Sequence, residues 1–158
     1  MKSLIRRFPI LLLSAFLLVS CSDECDDVNC QNGGTCDDGV CQCPDGYIGD
    51  ECQTEDRAKF LGVYNVSESC DSGNANYQMT VSPSNSGIRT VLLVFQEASL
   101  TANVNGNSIN MPNQTVSIQN SSYTFSGSGQ ISGSILTMTY TASVGAESIV
   151  CTITATKL

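Results

Sequence analysis

The feature that most limits the fold of this chain is a group of six cysteines within residues 25–52. They are spaced C-x4-C-x5-C-x4-C-x-C-x8-C, at Cys25, Cys30, Cys36, Cys41, Cys43 and Cys52. Covalent bridges must stabilise this segment, because a segment of this length cannot bury enough apolar surface to fold without them. Six cysteines allow many disulfide pairings, and the spacing alone does not choose among them.

Two stretches around these cysteines identify a family. The second half reads CQCPDGYIGDEC, with Gly46 and Tyr47 at fixed places between the cysteines, and NCQNGGTC lies upstream. Both resemble EGF-like modules, and the resemblance covers residues 25–52. It implies the disulfides Cys25–Cys36, Cys30–Cys41 and Cys43–Cys52.

Metal binding is the alternative role for such a segment. Cysteines at C-x-C spacing can hold zinc, but an exported chain favours disulfides. In calcium-binding EGF modules, acidic or amide residues precede the first cysteine. Asp23 and Glu24 are similar to that pattern, but its earlier acidic position is occupied here by Cys21. The gap DDGV between the third and fourth cysteines also lacks an aromatic residue. We expect no metal and no cofactor, and calcium binding stays open.

The start of the chain predicts export. Lys2, Arg6 and Arg7 precede an apolar run over residues 8–19. That run is too short to span a bilayer, which needs about 20 residues, and it suits the signal peptide that we assign to residues 1–20. It ends in LVSC, which resembles a bacterial lipobox. The resemblance implies that Cys21 is lipidated and anchors the protein to a membrane.

Cysteine counting and local charge support this interpretation. The chain has nine cysteines, and lipidation of Cys21 leaves eight that can pair completely. Residues 21–24 then form the lipidated cysteine and its tether. Ser22-Asp23-Glu24 resembles the surface-export signal of outer-membrane lipoproteins in Bacteroidetes-type bacteria, which implies display on the cell surface. A plain acidic tether is the alternative.

Charge is distributed unevenly along the chain. Residues 23–56 contain eleven acids and no lysine or arginine, whereas residues 57–158 contain four acids and four bases. Binding to nucleic acid needs a basic patch, so we expect no nucleic-acid partner. The chain has no histidine, which excludes Ser-His-Asp and Cys-His catalysis.

The second half of the chain is predicted to be a β domain. Residues 53–59 are polar and form the predicted linker, and residues 60–158 alternate polar and apolar residues at the period of β-strands. TVLLVF at 90–95 suits a buried strand, Asn105-Gly106 predicts a type I′ hairpin turn, and a second hairpin turns near residues 132–134. About eight strands are expected, so the chain as a whole should be all-β, with an antiparallel up-and-down barrel or a sandwich.

The opening of this domain carries a second, shorter resemblance. Phe60, Gly62 and Tyr64 in FLGVY resemble the first strand of small lipocalin-like domains of bacterial lipoproteins. An unrelated β-sandwich is the alternative. Cys70 and Cys151 are expected to form a disulfide, because the first and last strands of a closed barrel are neighbours.

These features favour a non-enzymatic, membrane-anchored surface lipoprotein. The EGF-like module would serve as spacer or interaction unit, and the β domain would bind a protein or small ligand of unknown identity. The alternative is a carrier that holds a small apolar ligand inside the barrel, against Val91, Leu93, Phe125 and Tyr140. We expect no enzyme and no catalytic residue, since the acids of the β domain form no recognisable constellation. These acids are Glu68, Asp71, Glu97 and Glu147.

Overall fold

A computed structural model describes residues 24–95 and 97–158. The predicted signal peptide, residues 1–20, and the predicted lipidation site at Cys21 lie outside the described residues. In the described part of the chain, the regular structure is β-strand apart from one short 3-10 helix. No helix in this part is long and apolar enough to cross a membrane.

The N-terminal module consists of two small hairpins held by three disulfides. Strands β1 (Thr35–Asp37) and β2 (Val40–Gln42) form one hairpin, and β3 (Tyr47–Ile48) and β4 (Thr54–Glu55) form the other. The disulfides are Cys25–Cys36, Cys30–Cys41 and Cys43–Cys52, the pairing that the EGF resemblance implies. The buried hydrophobic residues of this module are Cys41 and Cys52, so sulfur replaces an apolar core.

The C-terminal domain is a closed antiparallel barrel of eight strands. The strands are β5 (Gly62–Cys70), β6 (Gly73–Pro83), β7 (Thr90–Phe95), β8 (Ala98–Asn105), β9 (Ser108–Ile118), β10 (Ser121–Ser132), β11 (Ile135–Val144) and β12 (Glu147–Lys157). Each strand pairs with the next along the chain, and β12 pairs with β5 to close the barrel. The structure therefore confirms the predicted all-β fold and selects the barrel over the sandwich.

The first and last strands carry the fourth disulfide. Cys70 and Cys151 lie directly opposite each other in the β5–β12 ladder, and their sulfurs are bonded. Tyr64 lies opposite Lys157 near the other end of the same ladder. The disulfide therefore links the two chain segments whose pairing closes the barrel.

Side-chain alternation places one face of each strand in the core. On β5, Tyr64 and Val66 are buried whereas Val63 is exposed, and on β12 the buried positions are Cys151, Ile153 and Ala155. Successive side chains of a strand point to opposite faces, so these positions line the barrel interior. Glu68 lies two residues after Val66 on β5, so its side chain should also point inward.

The β8–β9 hairpin differs from its prediction in two ways. Asn105 pairs with Ser108, so the turn residues are Gly106 and Asn107, one position later than predicted. Gly106 has a φ of 56°, as the first turn residue of a type II′ turn requires. The two stretches of alternating polar and apolar residues on either side of Pro112 form one continuous strand, Ser108–Ile118, instead of two short ones.

A side chain bridges β8 and β9 where their backbone ladder ends. Pro112 has no N–H to donate, and the ladder residues on β9 are Ser108 to Asn110. Beyond it, the amide of Gln114 accepts a hydrogen bond from the Thr101 N–H (2.8 Å) and donates one to the Thr101 carbonyl (2.7 Å). Gln114 thus replaces the missing backbone partners.

The segment predicted as a linker, residues 53–59, is ordered and partly buried. Residues Thr54 and Glu55 form β4, and Asp56–Phe60 form a 3-10 helix that leads into the barrel. Asp56, Arg57 and Phe60 are buried. The backbone carbonyl of Phe60 accepts a hydrogen bond from the Tyr64 hydroxyl (2.8 Å). The segment joins the two domains by packing against both of them.

Arg57 is the centre of this junction. Its Nη1 lies 2.8–2.9 Å from three carbonyl oxygens of the β6–β7 segment, those of Ser84, Gly87 and Thr90. Its Nε donates to Oε2 of Glu55 at 2.8 Å. One buried guanidinium therefore ties the end of the EGF-like module to a loop of the barrel.

Two further contacts cross the junction. Arg89 forms an ion pair with Asp45 (2.8 Å), and Ile88 packs against Gly46 so closely that a β-carbon there would clash. Gly46 has a φ of 91° and its carbonyl accepts from the Asp56 N–H (2.9 Å). The EGF-like module is therefore seated on the barrel through specific side chains.

Candidate binding site

The two ends of the barrel differ. One end, the closed end, carries the 3-10 helix, the EGF-like module and the β6–β7, β8–β9 and β10–β11 turns. The other end, the mouth, is formed by the β5–β6, β7–β8, β9–β10 and β11–β12 turns. Because neighbouring strands run antiparallel, alternate turns lie at opposite ends, so the mouth points away from the EGF-like module.

A cavity of about 380 Å³ opens at the mouth. Its lining includes five aromatic side chains from β6, β7, β10 and β11 and two carboxylates, namely Tyr77, Phe95, Tyr123, Phe125, Tyr140, Glu68 and Glu97. A second cavity of about 230 Å³, lined also by Glu147, shares Tyr123, Ala142 and Ile149 with the first. The larger cavity alone is within the range of about 300–1,000 Å³ typical of small-ligand sites.

Glu68 organises the floor of the mouth. It lies on β5 in register with the inward residues Tyr64 and Val66, and it is half-buried. Its Oε1 accepts hydrogen bonds from the hydroxyls of Tyr77 (3.1 Å) and Tyr140. The carboxylate is thus held by two phenol donors, one from β6 and one from β11.

The two tyrosines respond to this environment. Burial, together with the charge and hydrogen bonding of Glu68, raises the pKa values of the Tyr77 and Tyr140 hydroxyls far above 10.0. Burial disfavours the phenolate, and a neighbouring carboxylate disfavours it further. Both hydroxyls therefore remain donors to Glu68 at neutral pH.

Below this floor the barrel interior is filled with side chains. Val91, Leu93, Leu100 and Met79 are at most 2% exposed, and the void that remains in this layer is about 10 Å³. That volume is about the minimum for a single water molecule. Of the four residues predicted to surround a carried ligand, Val91 and Leu93 pack in this solid core, whereas Phe125 and Tyr140 line the mouth.

The charged residues that follow Asp56 are segregated to the two ends of the barrel. The four acids all lie at the mouth: Glu68 within it, Asp71 in the β5–β6 turn, Glu97 in the β7–β8 turn, and Glu147 at the start of β12. The four bases all lie at the closed end: Arg57 and Lys59 in the 3-10 helix, Arg89 in the β6–β7 turn, and Lys157 at the end of β12. The charges of residues 57–158, which sum to zero in sequence, are therefore strongly separated along the axis of the barrel.

Glu68 also lies beside the fourth disulfide. One oxygen of Glu68 and the sulfurs of Cys70 and Cys151 lie within 4.8 Å of one another. The sulfurs are bonded to each other and are not thiolates, so they lack the donor character that a metal ion requires. This group therefore does not fit a thiolate metal site.

The sequence identified part of this site. Phe125 and Tyr140 were expected inside the barrel, and both line the mouth. Glu68 was counted among four acids that form no recognisable constellation, and its role at the floor was missed. The signal available in the sequence was the spacing of Glu68, which follows the apolar residues Tyr64 and Val66 at intervals of two. A charged residue on the apolar face of a strand is unusual.

Fold and disulfides together define the class of this protein: a disulfide-rich EGF-like module followed by a closed eight-stranded antiparallel β-barrel. Comparison with known families agrees for the first part, because residues 21–52 match the EGF-like domain. The match covers the N-terminal module and leaves the barrel outside it.

Curated relatives resemble this chain over short stretches. Fibropellin-1 of Strongylocentrotus purpuratus is 41% identical over 64 residues, which covers 36% of this chain and 6% of that protein. Tissue-type plasminogen activator of Mus musculus is 37% identical over 60 residues, covering 29% of this chain and 11% of that protein. Its Rattus norvegicus counterpart is 48% identical over 41 residues, covering 22% and 7%. This chain spans a small fraction of the length of each relative.

One solved structure resembles the chain over a larger share. It is a Bacteroides fragilis protein described as a candidate outer membrane protein, with 18% identity and a TM-score of 0.47. The similarity covers 65% of this chain and 52% of that one.

Proposed function

We propose that this protein is a non-enzymatic bacterial surface lipoprotein that binds a ligand or partner in the mouth of its β-barrel. The observation that carries the proposal is the open cavity of about 380 Å³ at the mouth, lined by aromatic side chains above a solid core. Concave sites that combine apolar lining with a few convergent polar groups are the usual form of a binding site.

The arrangement of the domains supports a display role. The predicted anchor, Cys21, lies four residues before Cys25, so the EGF-like module would sit close to the membrane. The module is seated on the closed end of the barrel by Arg57 and by the Arg89–Asp45 ion pair. In this arrangement the EGF-like module acts as a stiff spacer, and the mouth faces away from the outer membrane.

The alternative function, a carrier with a small apolar ligand deep inside a lipocalin-like barrel, has less support. Side chains fill the layer below the mouth, where about 10 Å³ of void remains. A ligand held there would require the displacement of residues such as Leu93 and Leu100, which are buried in the core. A ligand seated in the mouth needs no such displacement.

The anchor is tested by substitution at the lipobox. Cys21→Ala should move the protein from the membrane fraction to the soluble fraction and abolish labelling with a radioactive fatty acid. Ser22→Ala is the matched control and should leave both unchanged. Retention of the Cys21→Ala protein in the membrane would refute the lipid anchor.

Surface display and ligand binding have separate tests. Protease treatment of intact cells should digest the protein, and complete protection would argue against display.

A fragment screen followed by NMR should give chemical-shift changes concentrated at the aromatic residues of the mouth. Shift changes confined to the outer wall of the barrel would contradict the proposed site.

A further inference from the structure

The lining of the mouth combines aromatic rings with negative charge. Tyr123 and Phe125 have ring centroids 6.3 Å apart, and Phe125 and Tyr140 have centroids 6.2 Å apart, so three rings form a continuous row. Glu68 adds a carboxylate at the floor and Glu97 adds one at the rim. Among the described residues that line this cavity, none is a lysine or an arginine.

The negative charge of the mouth has no compensation within the barrel. Across the described residues 24–95 and 97–158, no ion pair involves Glu68, Asp71, Glu97 or Glu147. The positive side chains lie at the opposite end, where three of them already have carboxylate partners: Arg57 with Glu55, Lys59 with Asp56, and Arg89 with Asp45. Asp45 and Glu55 of the EGF-like module and Asp56 of the 3-10 helix thus supply the counter-charge at the closed end. The mouth keeps a negative field.

We propose that the mouth binds an organic cation, namely a protonated amine, guanidinium or quaternary ammonium group carried on an apolar body. The proposal rests on the proposed function, a ligand site at the mouth, and names the chemistry of its ligand. Aromatic rings attract cations through their negative faces, and a carboxylate beside them adds direct charge pairing.

Glu68 is the central residue of this recognition. Two phenol hydroxyls hold its Oε1, which fixes the direction of the carboxylate before a ligand arrives. Both hydrogen bonds that Glu68 accepts from described residues fall on Oε1, so Oε2 is the atom offered to a cation. A carboxylate held in place by its neighbours loses less entropy when it binds.

The same features disfavour the other ligand classes. An anion would enter a cavity that contains Glu68 and Glu97 and offers no basic side chain. A neutral apolar ligand would bury the Glu68 carboxylate further and add no opposite charge to the two tyrosine hydrogen bonds, which costs free energy. A cation removes this cost because it pairs with the carboxylate as it fills the cavity.

The test uses three probes of nearly the same shape: benzylamine, benzyl alcohol and benzoate. Each is titrated into the purified protein and followed by NMR and by calorimetry. Benzylamine should bind at least about tenfold more tightly than benzyl alcohol, a difference that cation–π and charge pairing can supply together, and benzoate should bind most weakly. The affinity of benzylamine should fall as sodium chloride is raised from 50 to 500 mM, as expected for charge pairing.

Variants locate the interaction. Glu68→Gln keeps the shape and an acceptor for both tyrosines but removes the charge, and benzylamine affinity should fall at least about tenfold. Glu97→Gln, at the exposed rim, should lower the affinity for benzylamine about two- to threefold. This variant keeps the test valid if Glu68→Gln is unstable. Glu51→Gln in the EGF-like module is the matched control and should change nothing.

The outcomes separate the two proposals. If benzyl alcohol or benzoate maps to the mouth and binds as tightly as benzylamine, cation recognition is overturned while the mouth remains a ligand site. If neither Glu68→Gln nor Glu97→Gln weakens benzylamine, cation recognition is likewise overturned. If no probe perturbs the mouth, both proposals fail.

A second arm identifies the source of the cation. Acetyl-Gly-Lys-Gly-amide is compared with the same peptide containing norleucine, which has a similar length without the charge. Tighter binding of the lysine peptide than of benzylamine indicates a side chain of a partner protein, and the reverse order indicates a free small molecule. Both orders support the inference, provided that the norleucine peptide binds at least about tenfold more weakly than the lysine peptide.

Discussion

Tyr140 on β11 donates a hydrogen bond to Glu68 on β5 across the intervening strand β12, although 72 residues separate them in sequence. The bond exists because closure of the barrel brings the first strand and the last two together. Tyr77 donates to the same oxygen from the other side. The three side chains make the floor of the mouth a single hydrogen-bonded unit.

At alkaline pH the two phenols should make the protein less stable. Their pKa values are raised in the folded state by burial and by Glu68, whereas in the unfolded chain they ionise near pH 10. Their contribution is complete below pH 10 and is lost as the pH rises towards the folded values. Urea unfolding should therefore give a free energy that falls above pH 10.

The double variant Tyr77→Phe/Tyr140→Phe checks this assignment. Its unfolding free energy should fall less steeply above pH 10 than that of the wild type, although the raised pKa of buried Tyr64 leaves some slope. Between pH 6 and 8 neither protein should show a slope from these groups. Equal slopes above pH 10 in both proteins would contradict the prediction.

At acidic pH Asp56 should have the opposite effect. Burial raises the pKa of this carboxyl, but the hydrogen bonds from Lys59 and the Gly106 N–H, with the charges of Lys59 and Arg89, lower it overall below 3.8. Its contribution to stability is present above the unfolded value, near pH 4, and is lost as the pH falls through the folded value.

Asp56→Asn tests this contribution. The variant should be less stable than the wild type at pH 7, and the difference should shrink as the pH falls below 4. Thermal unfolding between pH 2 and 7 measures it. A difference that stays constant over that range would mean that the charge of Asp56 is not involved.

Arg57 should be the most sensitive residue of the junction between the domains. It is 8% exposed and its guanidinium contacts three backbone carbonyls of the β6–β7 segment. Arg57→Met removes these hydrogen bonds and the ion pair with Glu55, and it leaves the partly buried Ser84 carbonyl without its charged donor. The substitution should reduce the free energy of unfolding by about 2 kcal/mol.

A nearby arginine provides the control for that experiment. Arg89→Met removes an ion pair with Asp45, whose side chain is 80% exposed, and should cost less than about 1 kcal/mol. Urea unfolding of both variants makes the comparison. Equal losses would show that exposure does not distinguish the two arginines.

Loss of the Cys70–Cys151 disulfide should weaken barrel closure. The bond spans a sequence separation of 81 residues, for which the chain-entropy relation gives about 4 to 5 kcal/mol. Cys70→Ala/Cys151→Ala should lower the free energy of unfolding by about that amount. The same measurement on wild type under reducing conditions is unsuitable, because the EGF-like disulfides would also be reduced. A loss below about 1 kcal/mol would mean that the β5–β12 ladder closes the barrel without the bond.

The sequence was informative wherever a pattern is local. The six cysteines with Gly46 and Tyr47 pointed to the EGF-like module, and the apolar run TVLLVF predicted the strand on which Val91 and Leu93 are buried. The hairpin turn at Gly133 also lies where it was expected. Such features depend on neighbours in the chain, so the order of residues contains them.

Local pattern failed where distant segments meet. Residues 53–59 are polar in sequence, yet Asp56 and Arg57 are buried, because the barrel offers them the Gly106 N–H and the carbonyls of the β6–β7 segment. The turn prediction at Asn105-Gly106 missed by one residue, because the pairing of Asn105 with Ser108 sets the register.

The order of residues specifies the elements of this protein: an EGF-like cysteine framework, strands with one inward face, and equal numbers of acids and bases after residue 56. The end of the barrel at which each charge lies is set by the closed sheet. The direction and register of each strand send Glu68, Asp71, Glu97 and Glu147 to the mouth and the four bases to the closed end. Which end of a barrel a residue reaches depends on hydrogen-bonded pairing between strands, and that pairing is a property of the closed sheet.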